Sequence, residues 1–184
     1  MKPDLKEGEI KIFPRSGSVE YKFLLSDKQN QAKLLKTWKK LNKFFTVPLY
    51  RINILPLFGL GRIFLLLYTK GRRTGRARIT PVEYRKKDGV VHVVAARGSK
   101  AHWFKNMKSN PDDINIKISF KKYPIRFEII NDINEKNELF VWYVSNFPKS
   151  AKTLFGWDPK KDNPQTTDFT TFSKLVEVVK LYPK

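Results

Sequence analysis

The chain has 184 residues and a formal net charge of +20, from 37 basic and 17 acidic side chains. This length suits one compact domain with a substantial core, and 41% hydrophobic residues exclude a wholly disordered chain. The sequence has no cysteine, which excludes disulfides, cysteine-ligated metals and a cysteine nucleophile. With only two histidines, neither a histidine-based metal site nor a Ser-His-Asp site is expected.

The excess positive charge is concentrated in one part of the chain. Residues 63–110 carry a net +10, residues 1–62 carry +8, and residues 111–184 carry only +2. A uniform lysine-rich background would spread the charge more evenly, so this distribution predicts a localised anion-binding site within residues 63–110.

The N-terminal residues 1–28 are polar and are interpreted as an extension with one or two short strands or turns. They contain no apolar run of the kind that a secretory signal needs. The most apolar window, residues 52–68, is interrupted by Pro56 and Arg62 and is too short for a membrane span. We therefore expect a cytoplasmic protein in which residues 29–184 form a single domain.

Residues 29–46 predict an amphipathic helix. Leu34, Trp38, Leu41 and Phe45 recur at helical spacing, and lysines occupy the other face. The favoured interpretation is a core-packing face, with Pro48 ending the helix. The alternative is a helix that lies on an anionic membrane as a peripheral contact.

The pattern changes to strands after a Pro/Gly-rich linker at residues 55–62. Strands are predicted at residues 63–69, 76–85, 90–96, 114–120, 125–130 and 175–181, and short helices at residues 100–109 and 135–147. Pro81 predicts a bulge or an edge position, Asp88-Gly89 predicts a hairpin turn, and residues 121–124 predict a second turn. Without βαβ repetition, the order favours a mainly β (α+β) fold, a small antiparallel β-barrel with flanking helices.

A glycine-flanked basic turn lies between the first two predicted strands, in the sequence KGRRTGRAR at residues 70–78. Successive backbone N–H groups in such a turn can cradle an anion, and arginine side chains bind phosphate through two hydrogen bonds. The glycine spacing matches neither a Walker A loop nor GxGxxG. A solvated basic hairpin is the alternative interpretation.

A second basic cluster follows the third predicted strand, where Arg97 and Lys100 precede a short helix. Helix N-termini attract anions, which makes this junction a second candidate contact. Of Trp103 and Phe104, at least one is expected in the core. His102 is a poor candidate for a catalytic base because no partner for it is evident.

Together these segments resemble the deazaflavin (F420)-dependent nitroreductase family. The shared pattern is the basic turn GRRTGRAR, then Pro81, Asp88-Gly89, Arg97-Gly98 and WFKNMKSNP from Trp103, over about residues 60–120. The resemblance implies an FMN-binding split β-barrel fold of antiparallel strands. It also implies a reductase that uses coenzyme F420 and has no catalytic side chain of its own.

The resemblance also implies the residues that hold the cofactor. The turn would grip its phosphate and acidic tail, and the strands and the helix after the turn would line its ring. The implied cofactor-binding residues are Arg72, Arg73, Thr74, Arg76, Arg78, Thr80, Pro81, Val94, Ala95, Ala96, Arg97, Trp103 and Asn106. Glu83 and Ala96 stand where relatives carry an aromatic residue and a serine, so both are expected to face the substrate.

The implied reaction is hydride transfer from the reduced deazaflavin to a small organic acceptor of the nitro, quinone or enone type. A split barrel that binds FMN or haem is one alternative, because this fold hosts several cofactors. A basic module for nucleic acid or a membrane surface is another, although aromatic residues do not alternate with the basic ones as nucleic-acid binding would require. The expected partners are a small-molecule substrate and an anionic cofactor rather than nucleic acid, in a monomer or a homodimer.

Overall fold

A computed structural model describes residues 13–184 of the protein, so the predicted elements before Phe13 lie outside the described residues. The described chain divides into two compact units, one of residues 27–131 and 176–184 and one of residues 13–26 and 132–175. Residues 13–26 thus belong to the same unit as residues 132–175.

The first unit is a closed antiparallel barrel with the strand order β1-β2-β3-β6-β5-β4. Every neighbouring pair of strands is antiparallel, including the closing pair of β1 and β4. The predicted fold class, a mainly antiparallel barrel with flanking helices, is confirmed. The strands are β1 (Phe64–Lys70), β2 (Ala77–Lys87), β3 (Val90–Ala95), β4 (Asn115–Ile118), β5 (Lys121–Ile130) and β6 (Glu177–Pro183).

Alternating apolar residues fill the interior of the barrel, as expected when successive side chains point to opposite faces of a strand. Branched aliphatic side chains supply most of this core. Ala101, Phe104 and Met107, which follow β3 in the chain, complete it. The buried members are Leu65, Leu67, Val82, Tyr84, Val91, Val93, Ala95, Ala101, Phe104, Met107, Ile114, Ile116, Ile125, Val179 and Leu181.

One turn of the barrel lies where the sequence predicts it, and another lies at a different position. Asp88 and Gly89 both have positive φ, 51° and 79°, as a type I′ hairpin turn requires, which confirms that prediction. The β4–β5 turn lies at Ser119 and Phe120 rather than at residues 121–124, because Ile118 already pairs with Lys121. Ser119 takes the left-handed conformation, with φ of 50°.

Pro81 lies in β2 opposite Leu66, without interrupting the register. The backbone N–H of Tyr84 donates to Ile63 on the β1 side, so the alternation of β2 turns the nitrogen of Pro81 away from β1. On that side the ladder with β3 begins only at Tyr84. The missing N–H of Pro81 therefore costs no ladder hydrogen bond, and the predicted edge character is correct for this stretch.

A helical segment precedes the barrel within the same unit. It consists of α2 (Lys28–Leu41), a π-helical turn (Asn42–Thr46), α3 (Val47–Arg51) and α4 (Ile54–Leu57), followed by a 3₁₀ turn (Leu60–Arg62). The side chain of Asp27 caps α2 by accepting from the N–H of Asn30 at 2.8 Å. Residues 55–62, predicted as a linker, are therefore largely helical.

Two predictions for this helical segment are wrong. Pro48 does not end the helix, because the π-turn leads directly into α3, where proline occupies the first turn and needs no N–H partner. The predicted core-packing face is not buried either, since α2 and the π-turn contain no buried residue.

Tyr50 fixes α3 to the barrel. Its hydroxyl donates to the carbonyl of Phe64 at 2.8 Å and accepts from the N–H of Ser119 at 3.0 Å. Burial raises the pKa of Tyr50 to about 12, so the phenol stays protonated and keeps donating at any physiological pH. One buried side chain thus connects α3 to β1 and to the β4–β5 turn.

After β3 come a 3₁₀ turn (Gly98–Lys100) and α5 (His102–Ser109), close to the predicted helix at residues 100–109. The second unit contains α1 (Val19–Leu24), α6 (Ile133–Asn146), α7 (Pro148–Phe155) and α8 (Thr170–Leu175). No helix among residues 13–184 is long and apolar enough to cross a membrane.

An aromatic core holds the second unit together. Ring centroids in this core lie between 4.7 and 6.3 Å apart, a spacing that adds favourable ring–ring contact to apolar burial. Its buried members are Phe13, Phe140, Phe155, Trp157, Phe169 and Phe172.

Arg15 ties the start of this unit to its later part. The Arg15 guanidinium donates to the carbonyl of Gly156 at 2.9 Å and to Asp162 at 2.6 Å. The carboxylate of Asp162 is fully buried and also accepts the N–H of Asp158 at 2.7 Å. The charge of Asp162 is thus compensated inside the unit, as a buried carboxylate requires.

Candidate functional site

The glycine-flanked basic turn forms a closed loop between β1 and β2. The N–H of Gly71 donates to Arg76 at 2.8 Å, and the N–H of Gly75 donates back to the carbonyl of Gly71 at 2.8 Å. A Cβ on Gly71 would lie 3.1 Å from the Arg76 carbonyl oxygen, and Gly75 has φ of 65°. Glycine is therefore favoured at both ends of the turn, for close approach at one and for a left-handed backbone at the other.

Asn106 of α5 holds this loop against the end of the barrel. Its buried side-chain oxygen accepts from both the backbone N–H and the guanidinium of Arg72, each at 3.3 Å. Asn110, one helical turn further on, donates to the carbonyl of Lys70 at 3.2 Å. Two residues predicted separately, Arg72 and Asn106, are thus in direct contact.

His102 shows how positive the surroundings of this loop are. Its pKa is lowered, first by partial burial and then by the positive charges of Arg72, Lys39, Arg97 and Lys105. We call these four cations the basic cluster. Because its pKa lies below the ordinary value, His102 is neutral at pH 7 and adds no further charge.

The basic cluster brings together four separate segments of the chain. Arg72 comes from the β1–β2 loop, Arg97 from the end of β3, Lys105 from α5 and Lys39 from α2. Like charges gathered in this way repel one another, and an anion bound among them removes that repulsion. The arrangement is therefore suited to a phosphate or carboxylate ligand.

The other residues of the basic turn lie at the surface. Arg73, Thr74 and Arg76 are exposed, and Arg78 pairs with Thr69 across β1 and β2. The buried hydroxyl of Thr69 has no hydrogen-bond partner among the described residues. It lies at the same end of the barrel as the loop, where a ligand group could satisfy it.

The predicted residues of β2 do not share one face. Thr80 has the same alternation as the interior residues Val82 and Tyr84, whereas Pro81 and Glu83 belong to the outer face. Glu83 forms an ion pair with Arg85 at 2.6 Å, so this carboxylate is held by a neighbour on its own strand.

The predicted residues of β3 are divided in the same way. Ala95 is fully buried in the barrel core, whereas Val94 lies on the opposite face and pairs with Val178 of β6. Ala96 and Arg97 follow the last strand residue and are half-buried. The outer face and the strand end are the parts of β3 available to a ligand.

On α5 the two adjacent aromatic residues separate as expected. Phe104 is buried in the core, and Trp103 packs against the core with part of its ring accessible. Their rings meet edge to face with centroids 6.1 Å apart. Trp103 is therefore the aromatic side chain of this helix that remains available to a ligand.

Sequence reasoning did not include Lys39, His102 and Lys105 among the site residues. Lys39 lies 33 positions before Arg72 on a lysine-rich helix, and nothing in the helical periodicity distinguishes it from the neighbouring lysines. Lys105 could have been found, because it lies within the WFKNMKSNP segment, one residue before Asn106.

Several solved structures are similar to this chain. A structure described as an F420-H2 dependent reductase (FDR-A) shares 22% identity, with a TM-score of 0.43 over 66% of this chain and 95% of that chain. A structure described as a domain-swapped dimer shares 22% identity and a TM-score of 0.43, over 66% and 81%. A conserved hypothetical protein from Mycobacterium tuberculosis shares 13% identity and a TM-score of 0.46, over 71% and 78%. No curated protein matches the sequence.

The family assignment depends on a match to a family model rather than on these structures. The model described as F420H(2)-dependent quinone reductase matches residues 57–154, which is more than half of the chain. The matched segment contains every residue predicted for the site, and its description supports F420-dependent reduction while lending no support to FMN or to the nitroreductase label. The chain therefore belongs to the F420H(2)-dependent quinone reductase family.

Proposed function

We propose that this protein reduces a small organic acceptor, of the quinone type named by its family, with a hydride from reduced F420. The observation that carries the proposal is the basic cluster around His102, joined to the β1–β2 loop through Asn106. F420 carries a phosphodiester and a glutamate tail, so its anionic groups complement this cluster. Nitro and enone acceptors are the other classes compatible with the same hydride chemistry.

The described residues fit this cofactor in three respects. The closed loop at residues 71–75 leaves the exposed Arg73 and Thr74 beside Arg72, where guanidinium and hydroxyl donors can bind a phosphate. The basic cluster supplies further cations for carboxylates. The buried hydroxyl of Thr69 lacks a partner among residues 13–184 and can accept or donate one more hydrogen bond.

Each segment then has its own part in the reaction. We assign Arg72, Arg73 and Thr74 to the phosphate, and Arg97, Lys105 and Lys39 to the acidic tail. The outer face of β2 and β3, with Pro81 and Val94, and the accessible part of Trp103 are assigned to the ring. When bound, reduced F420 supplies the hydride, and the task of the protein is to orient it and exclude water.

The acceptor would lie against the outer face of the barrel beside the ring. Glu83 and Ala96 are the residues we assign there. Since the Glu83 carboxylate is held by Arg85 at 2.6 Å, it presents a compensated rather than a free negative charge to a neutral acceptor. An uncharged quinone would therefore not be repelled at this position.

Substitution of Arg72 tests the proposal. Arg72→Ala removes a charged hydrogen-bond donor from the loop, and charged hydrogen bonds are worth about 1.5–3 kcal/mol. We expect the dissociation constant of F420, measured by tryptophan quenching, to increase by at least about tenfold. Lys86→Ala is the matched control, because it removes one exposed positive charge at the far end of β2.

Asn106→Ala provides a second test, of the contact between α5 and the β1–β2 loop. It removes the acceptor that holds Arg72 while leaving every charge of the basic cluster in place. Binding should weaken less than in Arg72→Ala but clearly more than in Lys86→Ala. Equal F420 affinity in all three variants and the unsubstituted protein would show that the cofactor binds elsewhere.

A further inference from the structure

The helical segment before the barrel exposes large apolar side chains that the cofactor site does not use. Phe44 and Phe45 of the π-turn are 62% and 61% exposed, and Leu57 and Phe58, at the end of α4, are 72% and 80% exposed. Scattered single apolar residues at a surface need no explanation, but a series of this kind within one segment marks an interaction site.

Several of these side chains recur at helical spacing within the segment. Trp38, Leu41 and Phe45 recur at spacings of three and four along α2 and the π-turn. Phe120 is 56% exposed and follows Ser119, whose N–H donates to Tyr50 of α3 and whose side chain lies against Gly61. We call the set of Trp38, Leu41, Phe44, Phe45, Ile52, Leu57, Phe58 and Phe120 the apolar face.

α2 differs from an ordinary surface helix, because part of its apolar side is exposed. Lys39 lies close enough to His102 to lower its pKa, so at least one lysine is turned towards the barrel. Trp38 and Leu41, on the leucine and aromatic side of the helix, are 40% and 44% exposed, although an ordinary surface helix buries that side. This orientation presents the apolar face to an external partner.

Charge identifies the chemistry of that partner. The sequence has no aspartate or glutamate anywhere in residues 28–82, which include all of the apolar face except Phe120. Exposed Lys43, Arg51, Arg62 and Lys121 lie along this stretch and beside Phe120. An anionic surface would be attracted, whereas a second copy of this chain would bring like charges together.

We propose that the apolar face docks onto a lipid bilayer that contains anionic headgroups. Exposed phenylalanine, leucine and tryptophan side chains can enter the boundary between headgroups and acyl chains, while flanking lysines and arginines bind headgroup phosphates. The protein rests on the bilayer surface in this arrangement. The proposal does not depend on the cofactor assignment, because no residue of the apolar face is assigned to the cofactor.

Vesicle sedimentation with the full chain tests this docking. Vesicles of phosphatidylcholine mixed with an equal part of phosphatidylglycerol should bind the protein, and vesicles of pure phosphatidylcholine should bind it much more weakly. The double variant Leu57→Ser, Phe58→Ser should lose at least about tenfold in vesicle affinity, because burying each such side chain contributes substantially to partitioning. Both residues are exposed, so the substitutions leave the fold intact.

The matched control is the double variant Leu25→Ser, Leu175→Ser, which changes two exposed leucines of the second unit and should bind vesicles normally. F420 titration of every variant separates loss of docking from loss of the cofactor site. Equal vesicle binding by both double variants, or no binding to the anionic vesicles, would overturn the proposal. A concentration-dependent dimer that only the Leu57→Ser, Phe58→Ser variant loses would assign the face to a second copy instead.

Discussion

At the scale of single residues, Asn106 shows how the fold brings two separate parts of the sequence motif into contact. The family resemblance predicts Arg72 and Asn106 from two separate segments, 34 positions apart, without predicting any contact between them. In the structure one buried amide oxygen accepts both the backbone and the side chain of Arg72. The amide therefore sets the position of the loop, and through it the direction of a guanidinium that we assign to the cofactor phosphate.

His102 makes the electrostatics of the site measurable. Partial burial and four nearby cations lower its pKa, and an anion bound among those cations would raise it again. If binding raises the pKa of a group, the complex takes up a proton, so affinity increases as the pH falls. We expect F420 affinity to increase by at least about threefold between about pH 7.5 and pH 5.5, around the ordinary histidine pKa of about 6.5.

The His102→Gln variant tests which group is responsible, because glutamine keeps a polar side chain that does not titrate. Its F420 affinity should change little over the same pH range. NMR titration of the ligand-free protein should also show a histidine pKa below the ordinary value, and this signal should be absent from the variant. A pH dependence of affinity that survives the substitution would assign the proton to another group.

At the scale of elements, the strands of the barrel were predicted well and the helical segment before it was not. Period-two alternation and the Asp88-Gly89 turn depend on neighbouring residues, so both are visible in the sequence. The face of α2 could not be assigned, because periodicity shows that a helix has an apolar side without showing what that side meets. Pro48 was wrongly predicted to end the helix, because proline is also tolerated in the first turn of a helix that follows directly.

The Arg15–Asp162 pair gives the element-scale prediction for the second unit. Asp162→Ala removes the carboxylate that accepts from the Arg15 guanidinium and from the N–H of Asp158, and breaking a buried pair commonly costs about 3–5 kcal/mol. Because the Arg15 side chain is 31% exposed, water offsets part of the loss, and we expect a destabilisation of about 2–3 kcal/mol.

Denaturant unfolding followed by tryptophan fluorescence measures this destabilisation, because Trp157 lies in the core of the same unit. The matched control is Asp168→Ala, which removes an exposed carboxylate that accepts one backbone N–H at 2.7 Å. The control should lose no more than about 1 kcal/mol. Equal destabilisation by the two variants would show that the buried pair has no special role.

At the scale of the whole molecule, the net charge of +20 has an uneven distribution with consequences for binding. The basic cluster gathers four cations from four segments, so its attraction for an anion depends on screening by salt. We expect the dissociation constant of F420 to increase by at least about threefold between about 50 mM and 500 mM salt. The increase should be smaller in Arg72→Ala, and a salt-independent affinity in both proteins would contradict the assigned role of the cluster.

The sequence by itself determined the class of fold, the position of the glycine-flanked basic turn and the resemblance that names F420. These features are local, because strand alternation, turn glycines and motif spacing are written in neighbouring residues. Only the tertiary structure decided which cations surround His102, which of the predicted strand residues face outward, and that the aromatic side of α2 is exposed. Those properties depend on contacts between residues far apart in the chain, and such contacts form only when the barrel closes and α3 is fixed to it through Tyr50.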